Sequence, residues 1–155
     1  MIFNRAAAAS QAFSREFKHV LAAMEAHKKK HGSLKTYKLP PEAYEWLSRG
    51  ALETITGFIG QANGPEWALD IVIYEYELPA IHAAVAVADR KGAKIRIVYH
   101  AKKGDKQTAE NLHTLTHPRL SNAELIPRTT SKIMHDKFIV LSRVGGATKT
   151  AQAVL

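Results

Sequence analysis

Residues 68–99, ALDIVIYEYELPAIHAAVAVADRKGAKIRIVY, decide the fold. Residues 68–76 are rich in β-branched and aromatic side chains and predict a strand. Pro79 then opens a helix through Ile81, Val85 and Ala88, which Lys91-Gly92 closes. Residues 94–99, KIRIVY, predict the next strand. Strand, helix and strand within ~32 residues make a βαβ unit, so the two strands are expected to run parallel with a right-handed crossover. Ile71, Val72 and Ile73 are apolar without alternation, which predicts a strand covered on both faces.

Downstream, 106–116 predicts a short helix, and 123–126 and 137–141 two further short strands. Residues 151–155 read as the beginning of another strand, after a turn at Gly145-Gly146-Ala147-Thr148. Upstream, Pro40-Pro41 predicts a helix start, with Tyr44, Leu47, Ala51, Ile55, Phe58 and Ala62 as one buried stripe and Asn63-Gly64-Pro65 as its end. A first helix, capped by Asn4, carries Phe13, Phe17, Val20, Leu21 and Met24 at helical spacing. It ends at Lys28-Lys29-Lys30-His31-Gly32, where cations meet the negative end of the helix dipole. The expected organisation is an N-terminal helix and linker over 1–39 and one α/β half-domain over 40–155. Its sheet is expected to be mixed, mostly parallel and flanked by helices.

The 155 residues are 46% hydrophobic and 23% charged, enough apolar material for one core of ordinary size. No apolar run approaches the ~20 residues of a membrane-spanning helix, and no secretory h-region follows Met1. The absence of cysteine excludes disulfides and thiolate metal sites and leaves the compartment unknown. A net charge of +8 favours anionic partners such as nucleic acid, phosphates or acidic lipid surfaces.

His-x-Lys occurs three times, at His27-Lys28-Lys29, His100-Ala101-Lys102 and His135-Asp136-Lys137. The first lies in a helix tail and the second just past a strand. Only the third runs straight into a strand, so that His135 and Lys137 project from one face with period two. An imidazole beside an ammonium suits phosphate chemistry. The imidazole can attack phosphorus or pass protons, and the ammonium can hold a non-bridging oxygen.

With its surroundings, this motif resembles one catalytic half of the phospholipase D superfamily, whose halves carry His-x-Lys at the start of a core strand. The matching pieces come in order: Trp46-Leu47-Ser48-Arg49-Gly50, Phe58-Ile59-Gly60-Gln61-Ala62, then Tyr74-Glu75-Tyr76-Glu77-Leu78-Pro79-Ala80-Ile81. They continue with 90–99 and end in Ile133-Met134-His135-Asp136-Lys137-Phe138-Ile139-Val140-Leu141. The likeness covers about residues 43–142. It implies a hydrolase, a phospholipase or nuclease, that works without a metal or other cofactor through a phosphohistidine intermediate. Two His-x-Lys halves then meet around one phosphodiester of a phospholipid or nucleic acid. One histidine attacks, the other protonates the leaving oxygen, and the lysines clamp phosphate. His135 carries over as nucleophile or acid and Lys137 as clamp. The partner is a second half in the same longer chain, or a homodimer mate as in the single-copy endonucleases of the family.

Two departures stand against the family pattern. Ser142 occupies the place of an Asp five residues after the lysine, and no Gly-Ser-x-Asn follows. The sequence therefore predicts a fragment of a longer two-half protein, inactive alone. The departures also support a rival reading, a non-catalytic polyanion-binding or assembly module. Around the motif, His100 follows the second strand, and Lys102 with Lys103 and Lys106 forms a basic loop. Glu75 and Glu77 end the first strand. His100, Lys102 and Glu75 are thereby candidates for substrate contact. His113 and His117, four apart, lack a third ligand in the sequence, and no metal site is expected from them.

Overall fold

The computed structural model describes residues 6–34, 36–130 and 135–155, with side chains from residue 11 onward. Asn4, the expected first cap, and Ile133 and Met134 of the motif segment lie outside the described residues. The chain forms two compact units, Met1–Ala51 and Leu52–Leu155, so the expected division at 39/40 falls inside the first.

The first unit holds α1 (Ala6–Glu16), α2 (Lys18–His31) and α3 (Pro41–Ser48). The one N-terminal helix expected from sequence is thus two, parted at Phe17, whose φ of −110° and ψ of 41° are not helical. The bonds from Phe17 N–H to Phe13 O and from Leu21 N–H to Phe17 O persist across the break, which makes it a kink. Phe13, Phe17, Val20 and Ala43 bury together, and Trp46 lies against both phenyl rings at 5.7 and 5.8 Å. Gly32, at φ 73°, closes α2 in the left-handed conformation open to a residue without Cβ, its N–H donating to Lys28 O.

The helix expected from Pro40 onward is also two. α3 stops at Arg49 (φ 46°) and Gly50 (φ 76°), and α4 (Ala51–Gly60) starts afresh. A left-handed arginine costs ~1–2 kcal/mol. Its guanidinium sits 4.7 Å above the Trp46 ring, a cation–π contact worth about 0.5–1 kcal/mol that offsets part of this. The break resets the helical phase. Tyr44 and Leu47 are consequently 42% and 44% exposed, Ala43 is buried instead, and the expected stripe holds only over Ile55, Phe58 and Ala62.

The second unit continues with β1 (Trp67–Ile73), α5 (Pro79–Arg90), β2 (Lys94–His100) and α6 (Lys106–Leu115). After these come β3 (Glu124–Arg128), β4 (Lys137–Gly145) and β5 (Thr148–Val154). The five strands form one sheet in the order β3-β2-β1-β4-β5. β1, β2 and β3 are parallel; β4 runs antiparallel to β1, and β5 antiparallel to β4, so only β4 runs against the rest. The strand order reverses at β1, between a neighbour that follows it through α5 and one that returns from much later in the chain.

Leu69 and Ile71 of β1, Ile95 and Ile97 of β2 and Ile139 and Leu141 of β4 share one face. They pack with Ile59 of α4, Val85 of α5 and Leu115 of α6. Contrary to the reading of β1 as covered on both sides, Asp70 and Val72 are only partly buried, and Lys94 and Arg96 of β2 are exposed. That second face is held partly by charge, with Asp70 bridging Arg96 and Lys149. Among the described residues no helix is long and apolar enough to cross a membrane.

Buried polar groups tie the helices to the loops. His82 of α5 is fully buried, with Nε2 2.7 Å from Pro118 O and Nδ1 3.2 Å from the Tyr76 hydroxyl. Burial raises the Tyr76 pKa, so the phenol keeps its proton and donates to Nδ1 while Nε2–H donates to the carbonyl. Asp89, 2% exposed, accepts from Ser121 N–H at 2.6 Å and Asn122 N–H at 3.1 Å. Asp89→Ala strands both amides. We expect it to cost about 2–4 kcal/mol, read as a lower urea midpoint at unchanged slope.

Candidate functional site

Ligands of parallel α/β sheets gather beyond the carboxyl ends of the strands, at the point where strand order reverses. Here that point is the end of β1, where Tyr74 follows Ile73. β4 starts beside it, because Lys137 pairs with Ile73 in the antiparallel register. β2 ends beside it too, at His100.

The Tyr74 ring gathers what these three strand ends carry. The His135 ring lies 5.4 Å from it, tilted by 55°, and the Lys137 ammonium stands 5.4 Å from its centroid. The His100 ring meets it nearly edge-on at 5.0 Å and 62°. His135 and Lys137 are both exposed. An exposed imidazole and an exposed ammonium therefore meet one aromatic ring.

His100 differs in being fully buried. Its Nε2 lies 3.0 Å from Asp105 Oδ2, and its Nδ1 has no hydrogen-bond partner among the described residues. In this arrangement it faces Tyr74 rather than solvent. Asp105 caps α6, its Oδ1 accepting from Gln107 N–H at 3.1 Å. That backbone bond first, and the His100 bond second, hold the Asp105 pKa below its ordinary value. A carboxylate stabilised in the folded state contributes above its unfolded pKa, and the contribution is lost as pH falls through the lower, folded value. We therefore expect the Gln107 amide resonance to titrate below the ordinary aspartate range; a midpoint within or above that range would contradict the capping bond.

Asn111 of α6 fixes the frame. Fully buried, it accepts from Tyr76 N–H at 2.8 Å and donates to Tyr74 O at 2.8 Å and His100 O at 3.0 Å. One amide side chain thus staples the ends of β1 and β2 at the Tyr74 hub. Gln107, one turn earlier, donates to Glu77 Oε1 at 2.6 Å. Glu75 and Lys137 both line an apolar cavity of about 250 Å³, together with Ile71, Ile73, Ile81 and Ile139. Lys102 is exposed in the loop after β2, where its carbonyl accepts from Thr108 Oγ1 at 2.8 Å. Ser142 is 2% exposed, paired with Ala68 and Ala151 in the sheet, a place that would bury any carboxylate standing there. His113 and His117 stack at 5.1 Å near the end of α6. No group of three or more metal-ligating side chains occurs among the described residues.

Of the residues singled out in the sequence, the fold brings His135, Lys137 and His100 to one ring, places Glu75 along the cavity and leaves Lys102 in solvent. Sequence reasoning missed Asp105 and Asn111. Asp105, three residues after Lys102 and directly before a helix, had a readable capping signal. Asn111 had none, since an amide inside a helix declares its partners only in three dimensions.

No protein-family model matches the chain, and no curated protein matches it. Solved structures do. A phospholipase D family member, Nuc from Salmonella typhimurium, aligns over 59% of this chain and 60% of its own, with 18% identity and a TM-score of 0.47. NucT from Helicobacter pylori aligns over 64% and 67%, with 21% identity and a TM-score of 0.47. Polyphosphate kinase from Porphyromonas gingivalis aligns over 65% of this chain and 17% of its own, with 16% identity and a TM-score of 0.51. At 16% identity and a TM-score of 0.51, the likeness to the kinase is one of fold alone.

Proposed function

We propose that this chain supplies one catalytic half of a metal-independent phosphodiesterase of the phospholipase D type. The observation that carries the reading is the convergence of an exposed imidazole, His135, and an exposed ammonium, Lys137, on the Tyr74 ring where strand order reverses. The resemblance of the ordered motifs and the shared fold support it.

In this reading the ammonium of Lys137 takes a non-bridging oxygen of the phosphodiester and stabilises the charge that grows there. A neutral imidazole attacks phosphorus, the bond to one ester oxygen breaks, and that oxygen takes a proton from a second imidazole. Water then cleaves the phosphohistidine, giving its proton back to the second imidazole. His135 fills one of the two imidazole roles. The other belongs to a second half in a longer chain or to a second copy, so a solitary copy is expected to be inactive. The net charge of +8 draws the site toward anionic phosphodiesters, nucleic acid or phospholipid.

Bis-nitrophenyl phosphate tests the reading. With the partner half or at dimer-forming concentration, the protein is expected to release nitrophenolate in the presence of EDTA and to yield an acid-labile phosphoenzyme. Turnover that EDTA abolishes would reject the mechanism. Ser142, an alcohol at the family's Asp position, favours one rival, a module that grips polyanions without cleaving them. Tight oligonucleotide binding with no turnover in either state would support that rival.

A further inference from the structure

The Tyr74 ring carries a second imidazole contact, His100, that the proposed chemistry does not use. His100 has no exposed surface, and the ring it meets toward the site is that of Tyr74. Its environment is also costly for a merely structural side chain. Nδ1 is buried without a partner among the described residues, and an apolar ring would fill the same space without stranding a polar atom.

Asp105 makes that environment definite. As an ionised carboxylate it only accepts, so Nε2 of a neutral His100 carries the proton, and Nδ1 holds the lone pair. The imidazole is thereby fixed in tautomer and plane. Its nearly edge-on contact sets one side of the Tyr74 ring, and Asn111 fixes the carbonyls of both residues. Lys137 and His135 meet the same ring.

We propose that Asp105, His100 and Tyr74 form a positioning line: Asp105 orients His100, His100 sets the Tyr74 ring, and the ring holds the Lys137 ammonium and the His135 imidazole in register for phosphate. The proposal rests on the functional reading above. It makes His100 and Asp105 positioning residues and Tyr74 the surface through which they act. It also accounts for a carboxylate–imidazole pair placed one ring away from the imidazole that meets phosphate.

The test uses the whole chain, Asp105→Asn and inorganic phosphate. Asparagine still caps a helix, so α6 keeps its first turn. Its amide nitrogen, turned to His100, donates instead of accepting, which moves the imidazole proton from Nε2 to Nδ1. Imidazole nitrogen resonances are expected to report the Nε2–H tautomer in the wild type and the Nδ1–H tautomer in the variant. Ring current from Tyr74 is expected to shift the Lys137 ε-methylene protons upfield in the wild type, and the variant is expected to lose much of that shift. Phosphate is expected to perturb His135 and Lys137 in the wild type and to bind about tenfold more weakly in the variant. A responsive wild type whose variant keeps the same Lys137 shift and phosphate affinity overturns this proposal alone. A wild type whose His135 and Lys137 ignore phosphate overturns the functional reading and this proposal with it.

Discussion

Replacing His135 with alanine is expected to remove phosphodiester turnover by on the order of 10⁴-fold or more, because a group that forms the covalent intermediate or protonates the leaving oxygen has no substitute in the step it performs. The side chain is exposed, so the loss should come with an unchanged melting temperature. Lys137→Met separates the two roles. It keeps the length of the stem that lines the apolar cavity and deletes the ammonium over Tyr74. If the lysine holds an oxygen whose charge grows in the transition state, kcat falls by roughly 10²–10³ with a smaller change in KM. Both variants are read on bis-nitrophenyl phosphate and on a labelled oligonucleotide. His135→Ala with wild-type turnover would remove the histidine from the mechanism altogether.

The second large effect is on stability. Asn111→Ala deletes an acceptor and two donated bonds at once, leaving Tyr76 N–H, Tyr74 O and His100 O without their side-chain partner inside the second unit. At ~1–3 kcal/mol for each stranded group, with some recovered by water, the expected loss is about 3 kcal/mol or more. For a chain of this size that corresponds to a fall of roughly 6–12 °C in Tm, measurable by circular dichroism. Asn111→Asp is the informative companion. It keeps the acceptor for Tyr76 N–H but turns both donations into contacts between a carboxylate and a carbonyl, so it should be at least as damaging. A variant within 1 kcal/mol of wild type would mean that the strand ends are held by the sheet alone.

The helix and second strand of the βαβ unit were legible almost to the residue, because Pro79, Gly92 and a run of β-branched side chains are local signals; the first strand ends at Ile73, three residues short of the expected Tyr76. The helix breaks were not legible. Phe17 lies in an apolar stripe that reads as continuous, and its packing against Trp46 joins residues far apart in sequence; the second break falls at Arg49 and Gly50, which both take left-handed φ. The half-open face of β1 was misread for a related reason: three consecutive apolar residues look buried on both sides, although Val72 lies on the partly exposed side. At the site, the period-two spacing put His135 and Lys137 on one side of a strand, and the structure has them meeting one ring. The ring itself and the amide that staples two strands are properties of tertiary arrangement, and one sequence carries no spacing that encodes them, whereas the carboxylate behind His100 carried a capping signal that went unread.

The sheet register also orders events in time. β1, α5, β2, α6 and β3 follow one another along the chain and pair with near neighbours, whereas β4 reaches β1 from beyond all of them. On a ribosome the early strands emerge first, and closing the longer loop is the slower step. The Tyr74 ring therefore waits for the antiparallel pairing of β4 with β1 before the Lys137 ammonium reaches it.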